Sequence, residues 1–139
     1  MIKKTVYIIL FLLLLLRFQD LEAQCKISNN AFASGEKIQY DLYFNFGILR
    51  ARAGSGSLTV TDANYRGINS LKTVMQLNTS GLAGNFFSVN DTLTSYIDKD
   101  LRPLLFTKEA LEGGDYSVER QSYTYSGDVI SIRSIRIYN

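Results

Sequence analysis

The chain has 139 residues, 46% of them hydrophobic and 20% charged, with a formal net charge of +2 at neutral pH. It contains no histidine and a single cysteine. Histidine-based acid–base catalysis, a zinc site and an intrachain disulfide are therefore excluded, and so slight a charge gives no electrostatic case for nucleic acid.

The first element is a leader. Lys3 and Lys4 precede an unbroken apolar run from Val6 to Leu16, followed by the polar Arg17, Gln19, Asp20 and Glu22 and the small Ala23. A basic start, a short apolar middle and a small-residue exit describe a helical secretory signal peptide over residues 1–24. The run has 11 residues, against the ~20 that a spanning helix needs. Two processing routes stay open. Cleavage after Ala23 or Gln24 releases a soluble exported protein, whereas processing directly before Cys25 makes that cysteine a lipidated N-terminus and the product an outer-membrane lipoprotein. Gln24 is larger than the residue that the second route favours. Without residues 1–24 the chain keeps twelve basic and eleven acidic residues, a net charge of +1, scattered rather than clustered.

From residue 25 to 139, period-two alternation dominates, and one antiparallel β domain is expected. Lys37–Phe46 places Ile38, Tyr40, Leu42, Phe44 and Phe46 on one side and Gln39, Asp41, Tyr43 and Asn45 on the other. Ala51–Thr61 is a second strand, with Leu58 and Val60 in phase with Gly54 and Gly56. Such glycines mark a bend or a close backbone approach. A turn over Asp62–Gly67 leads to a third strand, Leu71–Thr79. Ser80–Asn85 breaks the rhythm and is read as a loop or a short helical turn. Ser88–Asp98 is the fourth strand, Asp98-Lys99-Asp100 a turn, and Pro103 opens a fifth strand through Ala110, since a strand entrance tolerates proline. Glu112-Gly113-Gly114-Asp115 turns into a final hairpin, Tyr116–Tyr125 and Val129–Tyr138, closed by Ser126-Gly127-Asp128. In the last strand Ile130 and Ile132 are out of phase with Ile135 and Ile137. That implies a β-bulge near Arg133-Ser134, or burial on both faces. Asn139 follows this strand with no cap or polar tail, which points to the N-terminal part of a longer protein. Seven short strands in sequence describe an all-β antiparallel meander, a curved sheet or half barrel.

The available chemistry is sparse. Gly54-Ser55-Gly56 lacks the lysine and helix of a phosphate loop. Asp91, Asp98, Asp100, Glu109 and Glu112 could pair for glycoside hydrolysis at carboxylate separations of ~5–9 Å, but aspartates are also expected wherever a chain reverses. Asp98-x-Asp100 lacks the further ligands and the glycine of a calcium loop. No cofactor is implied. Tyr40 and Tyr43 sit on opposite faces of the first strand, so a covering layer or ligand competes with plain cross-strand packing. The candidate ligand face is the concave one, formed by Ile38, Tyr40, Leu42, Phe44, Phe46, Leu58 and Val60. An apolar or lipid-like molecule, or another envelope protein, would occupy it. The alternatives are a carboxylate-based hydrolase of envelope glycans, and an assembly module that pairs through an open edge strand.

Several fragments taken in order carry a family likeness. Ala31-Phe32-Ala33-Ser34-Gly35-Glu36 leads into Ile38–Phe46, and Ala53-Gly54 follows in the second strand. Later come Phe86-Phe87-Ser88-Val89-x-Asp91, Ser95-Tyr96-x-Asp98, Leu101-x-Pro103-Leu104 and Glu112-Gly113. Together they resemble domain-of-unknown-function family 3108, exported bacterial proteins that are β-rich and have no assigned reaction. The resemblance implies no functional residues. It does imply a chain that usually runs past residue 139. The Gln24-Cys25 junction resembles members from Bacteroidetes, which implies the periplasm of a Gram-negative cell. In that setting Asp91-Thr92-Leu93 resembles an O-glycosylation acceptor, with Thr92 as the attachment point.

Overall fold

A computed structural model describes residue 29 and residues 31–139, the side chains of Phe46, Leu49, Leu82 and Ala83 excepted. The leader, Ala23, Gln24 and Cys25 lie outside these residues. The described chain forms seven strands and one short helix. In order they are β1 (Lys37–Phe46), β2 (Leu49–Tyr65), β3 (Ile68–Thr79), α1 (Gly81–Phe86), β4 (Val89–Asp98), β5 (Pro103–Glu112), β6 (Asp115–Ser126) and β7 (Val129–Tyr138). Spatial order equals chain order, and every neighbouring pair is antiparallel. The expected meander is the fold, and the sheet is not closed: β1 and β7 are its two edges.

Turn chemistry fixes the register. Arg66 and Gly67, at φ of 52° and 85°, make a two-residue β2–β3 turn. Such left-handed pairs match the twist of the strands they join. The expected turn over Asp62–Gly67 is therefore too long, because Asp62–Tyr65 continue the ladder against Ile68–Leu71. Gly113-Gly114, both at positive φ, turns β5 into β6 in the same way. Between β4 and β5, Leu101 is held at φ 60° by a clamp built on Asp98. The Asp98 Oδ1 accepts from the backbone of Asp100 and Arg102, each at 2.9 Å, and Oδ2 accepts from Arg102 Nε at 2.8 Å. On the β3–β4 side, Thr79 bridges the α1 excursion, accepting from Val89 N at 2.8 Å and donating to the Phe87 carbonyl.

Irregularities fall where the glycines and proline are. The β1–β2 ladder shifts between Leu42 and Tyr43, beside Gly54. A Cβ on Gly54 would run into the Asn78 carbonyl oxygen, so close approach of β3 requires glycine there. The β4–β5 ladder shifts between Tyr96 and Ile97, opposite Pro103, whose missing donor is accommodated at the bulge. β7 differs from expectation. Its pairing with β6 runs unshifted from Ser117–Tyr138 to Ser126–Val129, and all ten of its residues are exposed. The phase change of its isoleucines produces neither a bulge nor burial, because one face of an edge strand carries each pair.

The sheet is a single layer. Among the described residues the substantial contacts run between adjacent strands and between α1 and β2. Among the described residues only Val60, Leu104 and Ala110 are buried apolar ones, and no large side chain is fully enclosed. Tyr40 and Tyr43 are 44% and 47% exposed on opposite faces. No second layer among the described residues covers either one; the Arg50 guanidinium lies 4.4 Å from the Tyr43 ring centre.

Candidate ligand face

Residues directly paired across antiparallel strands point to the same side of a sheet. Register therefore assembles the faces. One row crosses all seven strands on the face that carries Ile38: Ile38, Leu58, Met75 and Leu93, then Lys108, Glu119 and Arg136. It is apolar over β1–β4 and ionic over β5–β7. With strands ~4.8 Å apart the whole row spans roughly 29 Å, of which the apolar part covers roughly 14 Å.

The neighbouring rows are mixed: Tyr40 and Leu77 lead through Asp91 to Ala110, Ser117 and Tyr138, and Val60 leads through Thr73 and Ser95 to Phe106, Gln121 and Ser134. On the apolar side lie Tyr40 and Leu77 in one direction, and Val60 and Leu71 in the other. Of the expected ligand-face residues, Ile38, Tyr40, Leu42, Leu58 and Val60 share this face. Phe44 lies beyond the bulge, 56% exposed, and Phe46 ends the strand. Among those with described side chains, only Val60 is buried, at 3% exposure. Ile38, Tyr40 and Leu42 are about two-fifths exposed, and Leu58, Met75, Leu77 and Leu93 are partly buried.

Next to the Leu93–Lys108 step, at which the long row turns from apolar to ionic, stands Asp91 on β4, paired across to Leu77 and Ala110. Its side chain is 6% exposed. Oδ2 lies 3.2 Å from Lys108 Nζ, which also donates to Glu112 Oε1 at 2.7 Å. Asp91 Oδ1 is buried and has no hydrogen-bond partner. The Lys108 hydrogen bond, followed by one with Asp91, holds the Glu112 carboxyl below its usual range. In return, Glu112 first and then Asp91 hold the Lys108 ammonium above its usual range. Farther along the row, Arg136 Nη2 donates to Glu119 Oε2 at 2.5 Å, and Gln121 Nε2 donates to Glu119 Oε1 at 2.7 Å. Gln121 first, and Arg136 second, lower the Glu119 pKa.

The opposite face is mostly polar over β1–β3 but carries Leu111, Tyr116, Val118, Ile135 and Ile137 over β5–β7. Gln39, Asp41, Arg52, Ser57 and Gln76 line an open depression of about 400 Å³, with an Asp41–Arg52 ion pair at 2.6 Å. Thr92, the expected glycosylation point, is on this side, half-buried in mid-strand between Gln76 and Glu109. Asp98 and Asp100 both serve the β4–β5 turn. Glu109 points away from Asp91 and Glu112, so the expected group of acids is split between two faces.

Sequence reading missed Lys108, Glu119 and Arg136. The signal was present in the two-residue turns. A turn at Gly113-Gly114 sets Glu112 opposite Asp115 and, counting back, Lys108 opposite Glu119.

Among the described residues, no group of three or more His, Cys, Asp or Glu is placed to hold a metal, and no helix is long and apolar enough to cross a membrane. The fold defines a class of open, single-layer antiparallel meanders, here with one cross-strand row that passes from apolar to ionic. A family model described as "Protein of unknown function (DUF3108)" matches residues 39–137, and the chain belongs to that family. No curated protein and no solved structure matches the chain.

Proposed function

We propose that this is an exported, periplasmic, non-catalytic protein that holds an apolar or lipid-like ligand on the Ile38 face of its sheet. The observation that carries this reading is the row Ile38–Leu58–Met75–Leu93, which no described element covers. Soluble proteins rarely leave contiguous apolar patches larger than roughly a few hundred Å² exposed without a binding role. The leader supports export, and the Gln24-Cys25 junction supports the periplasm, with a lipoprotein anchored through Cys25 as the alternative product. The hydrolase reading loses ground on chemistry. A glycosidase needs one acid that keeps its proton at neutral pH, whereas Glu112 beside Lys108 is shifted the other way.

The test is mass spectrometry of organic extracts from the full chain, expressed with its leader and purified without detergent. Acyl-chain lipids are expected in the extract at near-stoichiometric amount and absent from the Leu58→Lys variant. Leu58 is only half-buried, so that substitution leaves the sheet able to form. An extract empty of lipid, from a protein that also fails to take up added fatty acid, would reject the reading.

A further inference from the structure

We infer that the ligand is an amphiphile whose headgroup carries an N–H-bearing ammonium, seated at Asp91 with its tail over β1–β4. This inference rests on the apolar-face reading and adds the chemistry of the head. Three observations support it.

The first is position. Asp91 stands on β4 between the apolar Leu77 and Ala110, next to the Leu93–Lys108 step at which the adjacent row turns from apolar to ionic. A tail lying along Leu93, Met75 and Leu58 would bring its head to this step.

The second is charge. The ionic half carries Asp91, Glu112, Asp115 and Glu119 against Lys108 and Arg136, four negative groups to two positive, a net of −2. An added cation is what balances it.

The third is an unmet acceptor. Asp91 Oδ1 is enclosed without a donor, although buried carboxylate oxygens are almost always hydrogen-bonded. Its neighbour Lys108 is one-third exposed and carries a flexible four-carbon stem. On binding, Lys108 would swing aside to admit the ligand to Oδ1 while it keeps its bond to Glu112. A quaternary ammonium would supply charge without a donor, and a fatty acid would add a negative charge to an acidic cluster. Neither meets both demands.

The experiment titrates the full chain calorimetrically with lysophosphatidylethanolamine and lysophosphatidylcholine of the same acyl chain. The two share tail, phosphate and cationic nitrogen, and only the first has N–H groups. A hydrogen bond to a charged group predicts that the ethanolamine lipid binds about tenfold more tightly. In Asp91→Asn this preference falls below about threefold, with the choline lipid's affinity little changed. Glu112→Gln, on a more exposed side chain, lowers it partly and serves if Asp91→Asn does not fold. Equal binding of the two lipids overturns the headgroup inference and leaves the apolar-face reading standing. Binding of neither overturns both. A preference that survives in Asp91→Asn overturns the assignment to that residue.

Discussion

Replacing Lys108 with methionine removes the cation that, among the described residues, pairs with Asp91. The Asp91 side chain is 6% exposed, and Lys108 Nζ lies 3.2 Å from its Oδ2. Without the ammonium, a buried carboxylate beside Glu112 loses its counter-charge. Breaking a buried pair in this way costs about 3–5 kcal/mol. The methionine leaves a gap that water can enter on an uncovered sheet, so the lower end applies, about 3 kcal/mol. With a urea m-value of about 1.5 kcal/mol/M for a chain of this size, the unfolding midpoint falls by about 2 M. Far-UV circular dichroism and tyrosine fluorescence report the transition, since the chain has no tryptophan. The companion Asp91→Leu/Lys108→Met removes the stranded charge together with its partner and returns stability to within about 1 kcal/mol of the parent. That double variant also decides the case in which the single one does not fold. A Lys108→Met midpoint within about 0.3 M of the parent, corresponding to about 0.5 kcal/mol, refutes the reasoning.

Three further outcomes are expected. Glu112 and Glu119 have folded pKa values below their ordinary 4.5, so their stabilisation is present above that pH and lost as pH falls through the lowered values. Lys108 lies above its ordinary 10.5, so its share is present below that pH and lost as pH rises through the raised value. Melting temperature therefore runs flat across neutral pH and drops on both sides, and Lys108→Met shrinks both limbs; a melting temperature that climbs on acidification below pH 4.5 contradicts this. Gly54→Val, placed against the Asn78 carbonyl, destabilises by about 1–3 kcal/mol in the same urea assay, and an unchanged midpoint shows that β3 can yield. Arg66→Asn converts the β2–β3 turn to the Asn-Gly pair that its left-handed geometry favours, stabilising by about 0.5 kcal/mol, and a lowered melting temperature argues against that turn.

Alternation alone made the strands legible. β1 and β7 are read from the sequence with the bounds they have, because Lys37–Phe46 and Val129–Tyr138 are flanked by glycine turns. β2 runs four residues past its expected end. Asp62, Ala63 and Asn64 have turn chemistry, yet the ladder continues because Arg66-Gly67 alone completes the reversal. The apolar face was legible from within-strand phase on β1 and β2. The ionic half was not, since it depends on which residues of β4–β7 stand opposite one another. Phase within a strand cannot place Lys108 beside Asp91. Only inter-strand register does. The solvent exposure of β7 was also hidden, because isoleucine-rich alternation reads as buried whether or not anything packs on it.

Because each strand bonds only to its predecessor and successor, the sheet is effectively a one-dimensional chain of hairpins. Cooperativity in such an array passes from neighbour to neighbour rather than through a shared interior. Loop closures are short, so the ribbon can zip from any turn, and low contact order favours rapid assembly. Amide exchange then grades outward from β4, with the two terminal ribbons opening first. The apolar half ends in one of those loosening ribbons, so a bound guest would tighten β1 against β2 and slow its exchange.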